Sequence, residues 1–162
     1  MTPLHNAVLN GHIDVVRFLA SCDQVDVNAK DKDEVSPLHY AARNDAIDIV
    51  RFLVSCHSVD LNIRGPSGRT PLHEAVKNNY IDIVQVLANG YGININCEDD
   101  YAITPFQLAA KRQHGDIVQF LKNCKGIDNE FKSAKVLLIL LMTPFLGSMR
   151  IFNKRSNFSH FF

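Results

Sequence analysis

Four copies of one phrase set at a fixed step constrain this chain more than any other feature. Thr70-Pro71-Leu72-His73 returns as Thr2-Pro3-Leu4-His5, as Ser36-Pro37-Leu38-His39 and, more altered, as Thr104-Pro105-Phe106-Gln107, each copy 34 residues from the next. A second block keeps the same step: Ile13 to Leu19, Ile47 to Leu53, Ile81 to Leu87 and Gly115 to Leu121. A third does too, with Val25-Asp26-Val27-Asn28, Val59-Asp60-Leu61-Asn62, Ile93-Asn94-Ile95-Asn96 and the altered Ile127-Asp128-Asn129-Glu130. Blocks that stay in register over four copies define a repeat array, in which each unit buries its apolar face against its neighbours.

Each unit reads as two short helices and an extended finger. A hydroxyl residue followed by Pro is a helix start, because the side chain caps an orphan amide and Pro tolerates the first helical position. Leu38, Ala41 and Ala42 then form one apolar face of a first helix, and Ile49, Val50, Phe52 and Leu53 the buried side of a second. The opening acids Asp14, Asp48, Asp82 and Asp116 suit the positive end of the second helix. A finger turn is well signalled at Gly65-Pro66-Ser67-Gly68. The residues in phase with Gly68 are Glu34 and Ala102, and both turns are strained if that position needs a positive φ.

The phrases closely resemble the ankyrin repeat, whose pattern of Thr-Pro-Leu-His, Ala-Ala, Gly-His and Asp-Val-Asn-Ala is matched by Thr2 to His5, Ala41-Ala42, Gly11-His12 and Asp26 to Ala29. The resemblance covers roughly residues 1–130 and implies an all-α fold, an α-solenoid of helix-turn-helix pairs with β-hairpin fingers and with first helices on the concave side. The repeats begin near 2, 36, 70 and 104, the first without its leading hairpin, which reads as a fragment or short relative of a longer array. The period is one residue longer than the family's usual step, the extra residue falling near Cys22-Asp23-Gln24 and Cys56-His57-Ser58. In the family the His of the first phrase bridges loop backbone and the neighbouring Thr, so His5, His39 and His73 are expected to knit repeats together and not to bind metal.

Residues 131–162 fall outside the period. Lys132 to Met142 holds good helix formers with almost no polar face and is expected to cover the open end of repeat four; a membrane anchor and a non-native tail are the alternatives. The uncharged run around it is shorter than the ~20 residues a crossing needs, so membrane insertion is not expected. No signal peptide opens the chain, and Cys22, Cys56 and Cys124 share one repeat phase, too widely spaced for disulfides to form between stacked units. These thiols are expected to fill small apolar slots, to remain unpaired with each other and with Cys97, and to fit a cytoplasmic location.

Chemistry is otherwise sparse. Phosphate-binding loops, nucleophile elbows and metal-ligand spacings are missing, and an array spreads like groups along a line where catalysis needs unlike groups at a point. Enzymatic activity and cofactors are therefore not expected. The balanced 17 basic and 17 acidic residues, with acids interspersed through the repeats, give no continuous stripe for nucleic acid. The run Glu98-Asp99-Asp100 lacks a calcium loop's spacing and reads as a solvated tip.

What remains is a protein-interaction module. The family binds through finger tips and the exposed side of the first helices, and the matching positions are Lys30, Lys32, Asp33, Arg64, Arg69 and Tyr101 on fingers, with Arg43, Asn44, Lys77, Asn78, Lys111 and Arg112 on first helices. The fingertip positions differ from copy to copy while the frame repeats. Arg43, Lys77, Lys111 and Arg112 would form a basic ridge suited to an acidic segment of a protein partner, and neither Arg43 nor Lys77 is expected to matter for stability. The alternative role is that of an accessory region in a larger effector, channel or latrotoxin-like toxin whose activity lies elsewhere.

Overall fold

The computed structural model describes residues 1–127. The expectations for residues 131–162, and for the last few residues of the array, lie outside the described part. Among the described residues eight α-helices occur in pairs: α1 (Pro3–Leu9) with α2 (Ile13–Ala20), α3 (Pro37–Arg43) with α4 (Ile47–Ser55), α5 (Pro71–Lys77) with α6 (Ile81–Ala88), and α7 (Pro105–Lys111) with α8 (Gly115–Asn123). First helices stack on first helices and second on second, in chain order.

The helices have seven to nine residues. Isolated helices of that length do not persist in water, so their stability comes from stacking. One apolar core runs through all four pairs, built on Leu4, Leu38, Leu72 and Phe106 of the first helices and Val16, Val50, Val84 and Val118 of the second. Ala41, Ala42, Ala75, Ala109 and Ala110 are fully buried. Their lack of bulk lets adjacent first helices pack closely.

Every first helix starts with the same device. Thr2, Ser36, Thr70 and Thr104 are extended N-caps, and Pro occupies the first helical position. The residue three places on closes a capping box, in which the backbone N–H of Thr2, Ser36 and Thr70 donates to His5 Nδ1, His39 Nδ1 and His73 Nδ1. Imidazole here does what Glu or Gln does in the usual box. In repeat four Gln107 Oε1 accepts from Thr104 N–H at 2.8 Å.

Each first helix ends on Asn10, Asn44, Asn78 or Arg112, followed by one left-handed residue: Gly11, Asp45, Asn79 or Gln113. That residue reverses the chain into the second helix. Three of the four are not glycine, which is tolerable for Asn and Asp but strained for Gln113.

The described residues contain no strand, so the fingers are turns and not the β-hairpin ladders expected. Each is closed by short-range backbone bonds: Asp31 N–H to Val35 O with Glu34 N–H to Asp31 O, Gly65 N–H to Arg69 O with Gly68 N–H to Gly65 O, and Asp99 N–H to Ile103 O with Ala102 N–H to Asp99 O. Glu34 (φ 60°), Gly68 (φ 67°) and Ala102 (φ 55°) all take the left-handed conformation, so the strain foreseen at the two non-glycine positions is present. At the middle finger Pro66–Gly68 is a 3-10 turn, with Ser67 also left-handed.

The thiols of Cys22, Cys56 and Cys124 are half-buried, and each donates to a carbonyl four residues back, on Phe18, Phe52 and Phe120, at 3.3–3.4 Å. Cys56 and Cys124 also pack against the apolar core, so they fill a slot as well as closing the ends of their helices. At the fourth equivalent position, Gly90, a side chain would run into the Leu61 methyl group.

Candidate protein-interaction surface

Two ladders fix where the fingers and first helices present their variable side chains. In the first, His5, His39 and His73, all fully buried, bond through Nε2 to the carbonyls of Val35, Arg69 and Ile103, each at 2.9 Å and each in the next repeat. Because Nδ1 already accepts from an N–H, the proton sits on Nε2, which donates to the carbonyl. The rings are thus neutral. Burial depresses the basicity of His39 and His73 below the usual imidazole range, only partly offset by the carbonyl acceptors.

The second ladder is made of Asn28, Asn62 and Asn96. Asn28 Nδ2 donates to Ser58 O at 2.7 Å while its Oδ1 accepts from Asp60 N–H at 2.8 Å. Asn62 repeats this with Gly92 O and Asn94 N–H, and Asn96 Nδ2 reaches Gly126 O. The Asn recurs visibly in the sequence, in the third repeated block, but recurrence alone gives no hint of the inter-repeat bond. His114 Nδ1 adds a tie to Val76 O at 2.9 Å.

The outer fingers carry an internal brace. Asp31 Oδ1 accepts from Asp33 and Val35 N–H, and its Oδ2 from the Tyr40 hydroxyl at 2.7 Å. Burial pushes the Asp31 carboxyl up, yet these three donors outweigh it and hold the group below the usual range; Tyr40 is correspondingly pushed up. Asp99 makes the equivalent pair of bonds to Tyr101 and Ile103 N–H. Asp99 is 5 % exposed. The reading of Glu98-Asp99-Asp100 as a wholly solvated tip therefore fails at its central residue, which turns inward to satisfy amides that a short turn leaves unpaired.

The fingers are also tied to each other. Arg64 donates through Nη1 to Glu98 O at 2.6 Å and through Nη2 to Asp100 Oδ1 at 2.9 Å, and Asp100 N–H bonds Ser67 O. Gly68 lies directly beneath the Arg64–Asp100 bridge, where a Cβ would overlap both groups. Arg69 Nε lies 3.6 Å from Asp99 Oδ2, too long for a hydrogen bond.

The first-helix cations divide into two groups. Arg43 Nε is 3.3 Å and Lys77 Nζ 3.7 Å from one carboxylate oxygen of Glu74, a residue only 2 % exposed. Asn44 and Asn78 are the C-caps of their helices, and Asn78 Nδ2 bonds Glu74 O at 3.1 Å. The continuous basic ridge is thus interrupted: Arg43 and Lys77 are bound to a buried acid between them. The expectation that they are irrelevant to stability does not survive, because Glu74 needs them. The sequence signal was available, since Glu74 follows His73 inside the repeated phrase, but its burial depends on what packs beside it.

Lys111 and Arg112 are exposed, with no ion pair among the described residues. On the fingers, Lys32 and Asp33 are exposed, Lys30 pairs with Glu34 at 3.1 Å, and Tyr101 is 69 % exposed. The described residues contain no cluster of three or more His, Cys, Asp or Glu able to hold a metal ion, and no helix long and apolar enough to cross a membrane.

This architecture defines a class, the helical repeat scaffolds built on a constant frame. A family model for ankyrin repeats (3 copies) matches residues 1–65 and 56–133, and the chain belongs to that family. Ankyrin repeats are generally non-enzymatic protein–protein interaction modules. No curated protein matches the chain.

Proposed function

We propose that the array binds a protein partner across its fingertips and the exposed side of its first helices, without chemistry of its own. One observation supports this reading above others. The core and the histidine ladder recur at period 34 and are buried, whereas the fingertip residues Lys32, Asp33 and Tyr101 are exposed and differ from copy to copy, and Lys111 and Arg112 are exposed at the end of the fourth first helix. A rigid frame with a variable surface loses little entropy on binding.

An acidic segment of the partner fits Lys111 and Arg112 best, since their charge is not already used within the described residues. Arg43, Asn44, Lys77 and Asn78 contribute shape and hydrogen bonding around a carboxylate, with less free charge than their sequence suggests. Lys30, Arg64 and Arg69 shape the fingers through their pairs with Glu34, Asp100 and Asp99. The accessory-region alternative drew on the apolar segment after residue 131, outside the described residues, and no described feature favours it.

Photo-reactive residues introduced at Tyr101 or Arg112, and separately at Arg17 or Arg51 on the second helices, test the assignment. Crosslinking of a partner from the first pair alone, with affinity lowered at least about tenfold by Lys111→Glu/Arg112→Glu, is the expected result. Crosslinking from the second-helix pair alone would put the interface on the opposite side and overturn the reading.

A further inference from the structure

The tip of the middle finger carries a serine where its neighbours carry Asp33 and Tyr101 in the same phase. Ser67 is exposed and left-handed (φ 59°), and its hydroxyl bonds nothing among the described residues. Most other hydroxyls are spoken for. Those of Ser36, Thr70 and Thr104 are buried in their capping boxes, while Ser21 and Ser55 donate to the carbonyls of Phe18 and Phe52. Of all the serines and threonines in the sequence, only Ser67 has an Arg three places before it. A cation at a fixed offset from the acceptor is how one large class of protein kinases selects its substrates, through an acidic pocket that rejects uncharged side chains.

That Arg, Arg64, also joins the middle finger to the third. Its Nη2 reaches one oxygen of Asp100 at 2.9 Å, with the two side chains 50 % and 57 % exposed, and the N–H of Asp100 donates to Ser67 O at 3.0 Å. The guanidinium lies over Gly68, the residue next to Ser67. A phosphoserine carries about −1.5 to −2 charges at neutral pH and three acceptor oxygens, and a phosphate pairs with guanidinium through two parallel bonds. Asp100 offers one charge and a single bond, so a phosphate on Ser67 outbids it for Arg64 and repels it. The turn accommodates an anion here, since exposed Asp33 holds the same position in the first finger.

We propose that Ser67 accepts a phosphoryl group from an Arg-directed serine kinase, and that the phosphate then draws Arg64 away from Asp100 and unties the middle finger from the third. In the transfer Ser67 Oγ attacks the γ-phosphorus of ATP. The Oγ–P bond forms as the bond to the departing ADP breaks, and the hydroxyl proton passes to the kinase's catalytic carboxylate. Arg64 serves twice, first as the residue the kinase reads and then as the partner of the phosphate. A charge added at one tip thereby alters how two neighbouring tips are held, a local electrostatic switch on an otherwise rigid frame.

The folded full chain is treated with activated calmodulin-dependent protein kinase, magnesium and ATP, and the product is mapped by peptide mass spectrometry. Phosphate is expected on Ser67, at a rate at least about tenfold lower in Arg64→Gln, which loses a charged hydrogen-bonding contact to the kinase. Asp100→Ala breaks the same bridge but keeps Arg64, and is expected to lose nothing. In the phosphorylated chain the Asp100 amide is expected to exchange its hydrogen at least about tenfold faster, with the amide of buried Leu72 unchanged. No phosphate at Ser67 on the folded chain, or the same rate in parent and Arg64→Gln, would overturn the acceptor assignment. An equal loss in Arg64→Gln and Asp100→Ala would overturn it too, by making the bridge and not the Arg the requirement. An Asp100 amide unchanged by phosphorylation would overturn the exchange of Arg64. Neither readout depends on a binding partner.

Discussion

Removing the Arg43 side chain as Arg43→Met tests the claim that Glu74 is held by its neighbours across a repeat boundary. Glu74 is 2 % exposed and meets Arg43 Nε at 3.3 Å and Lys77 Nζ at 3.7 Å. A charge pair about 4 Å apart near a protein surface attracts by roughly 4 kcal/mol, while fully exposed pairs yield under ~1 kcal/mol. The Arg43 side chain is 37 % exposed, so solvent screens it, and Lys77 stays in place after the change. The expected loss is therefore about 1–2 kcal/mol, or roughly 0.5–1 M in the urea midpoint at a typical slope. Residue Leu108 indicates the complementary change, since it occupies the same repeat phase as Glu74 and is buried at 6 %. Pairing Arg43→Met with Glu74→Leu should recover most of the loss, because an apolar pair replaces a buried ionic one at little cost. An unchanged midpoint for Arg43→Met, together with a large loss for Glu74→Leu alone, would refute this account of the ion group.

Three further outcomes follow from the same geometry. At the left-handed finger position, Ala102→Gly should stabilise by roughly 0.5–1 kcal/mol, as relief of left-handed strain exceeds the entropy added to the unfolded chain. Gly68→Ala should destabilise by at least ~1 kcal/mol through φ strain and loss of the Arg64–Asp100 bridge; equal urea midpoints for the two would contradict the turn assignment. Replacing Asn62 by Ala removes bonds to Gly92 O and Asn94 N–H, and should cost about 1–2 kcal/mol in chemical denaturation despite the residue's peripheral position. Lowering the pH should weaken the array through His39 and His73: their native basicity is depressed, so stability is complete above the unfolded value of ~6.5 and falls as pH drops below it, where the unfolded chain takes up protons that the native one refuses. The double variant His39→Gln/His73→Gln, which copies the Gln107 arrangement of repeat four, should lose less stability than the parent chain as pH falls from about 7.5 to about 5. An identical loss would remove these rings from the pH response.

The frame was legible because it is periodic. A Thr/Ser-Pro pair specifies a helix start by its own chemistry, and Leu4, Leu38 and Leu72 declare the core by returning at one phase, so the helices and their stacking followed from the sequence. The fingers were less legible. Asp31 and Asp99 look like exposed acids in a polar loop, and only the closed turn reveals that each carboxylate caps two amides. Residues Arg43 and Lys77 share a repeat phase with Lys111 and read as parts of one basic ridge, but a surface cation can also answer a variable neighbour. Here the neighbour is Glu74, whose burial arises from contacts across a repeat boundary that no local pattern encodes. Val35 and Ile103 illustrate the reverse limit: both lie beside the variable tips, yet their carbonyls accept the histidine ladder.

The ladder itself is open to one direct measurement, the nitrogen NMR spectrum of the imidazole rings near neutral pH. If the repeats are locked as described, His5, His39 and His73 each hold a single neutral tautomer, with the proton on Nε2, Nδ1 unprotonated and the Nε2 proton slow to exchange with water. Exposed His57 serves as the internal reference, exchanging fast. Three rings that behave like His57, averaging between tautomers and exchanging freely, would mean that the His–carbonyl ladder does not join the repeats.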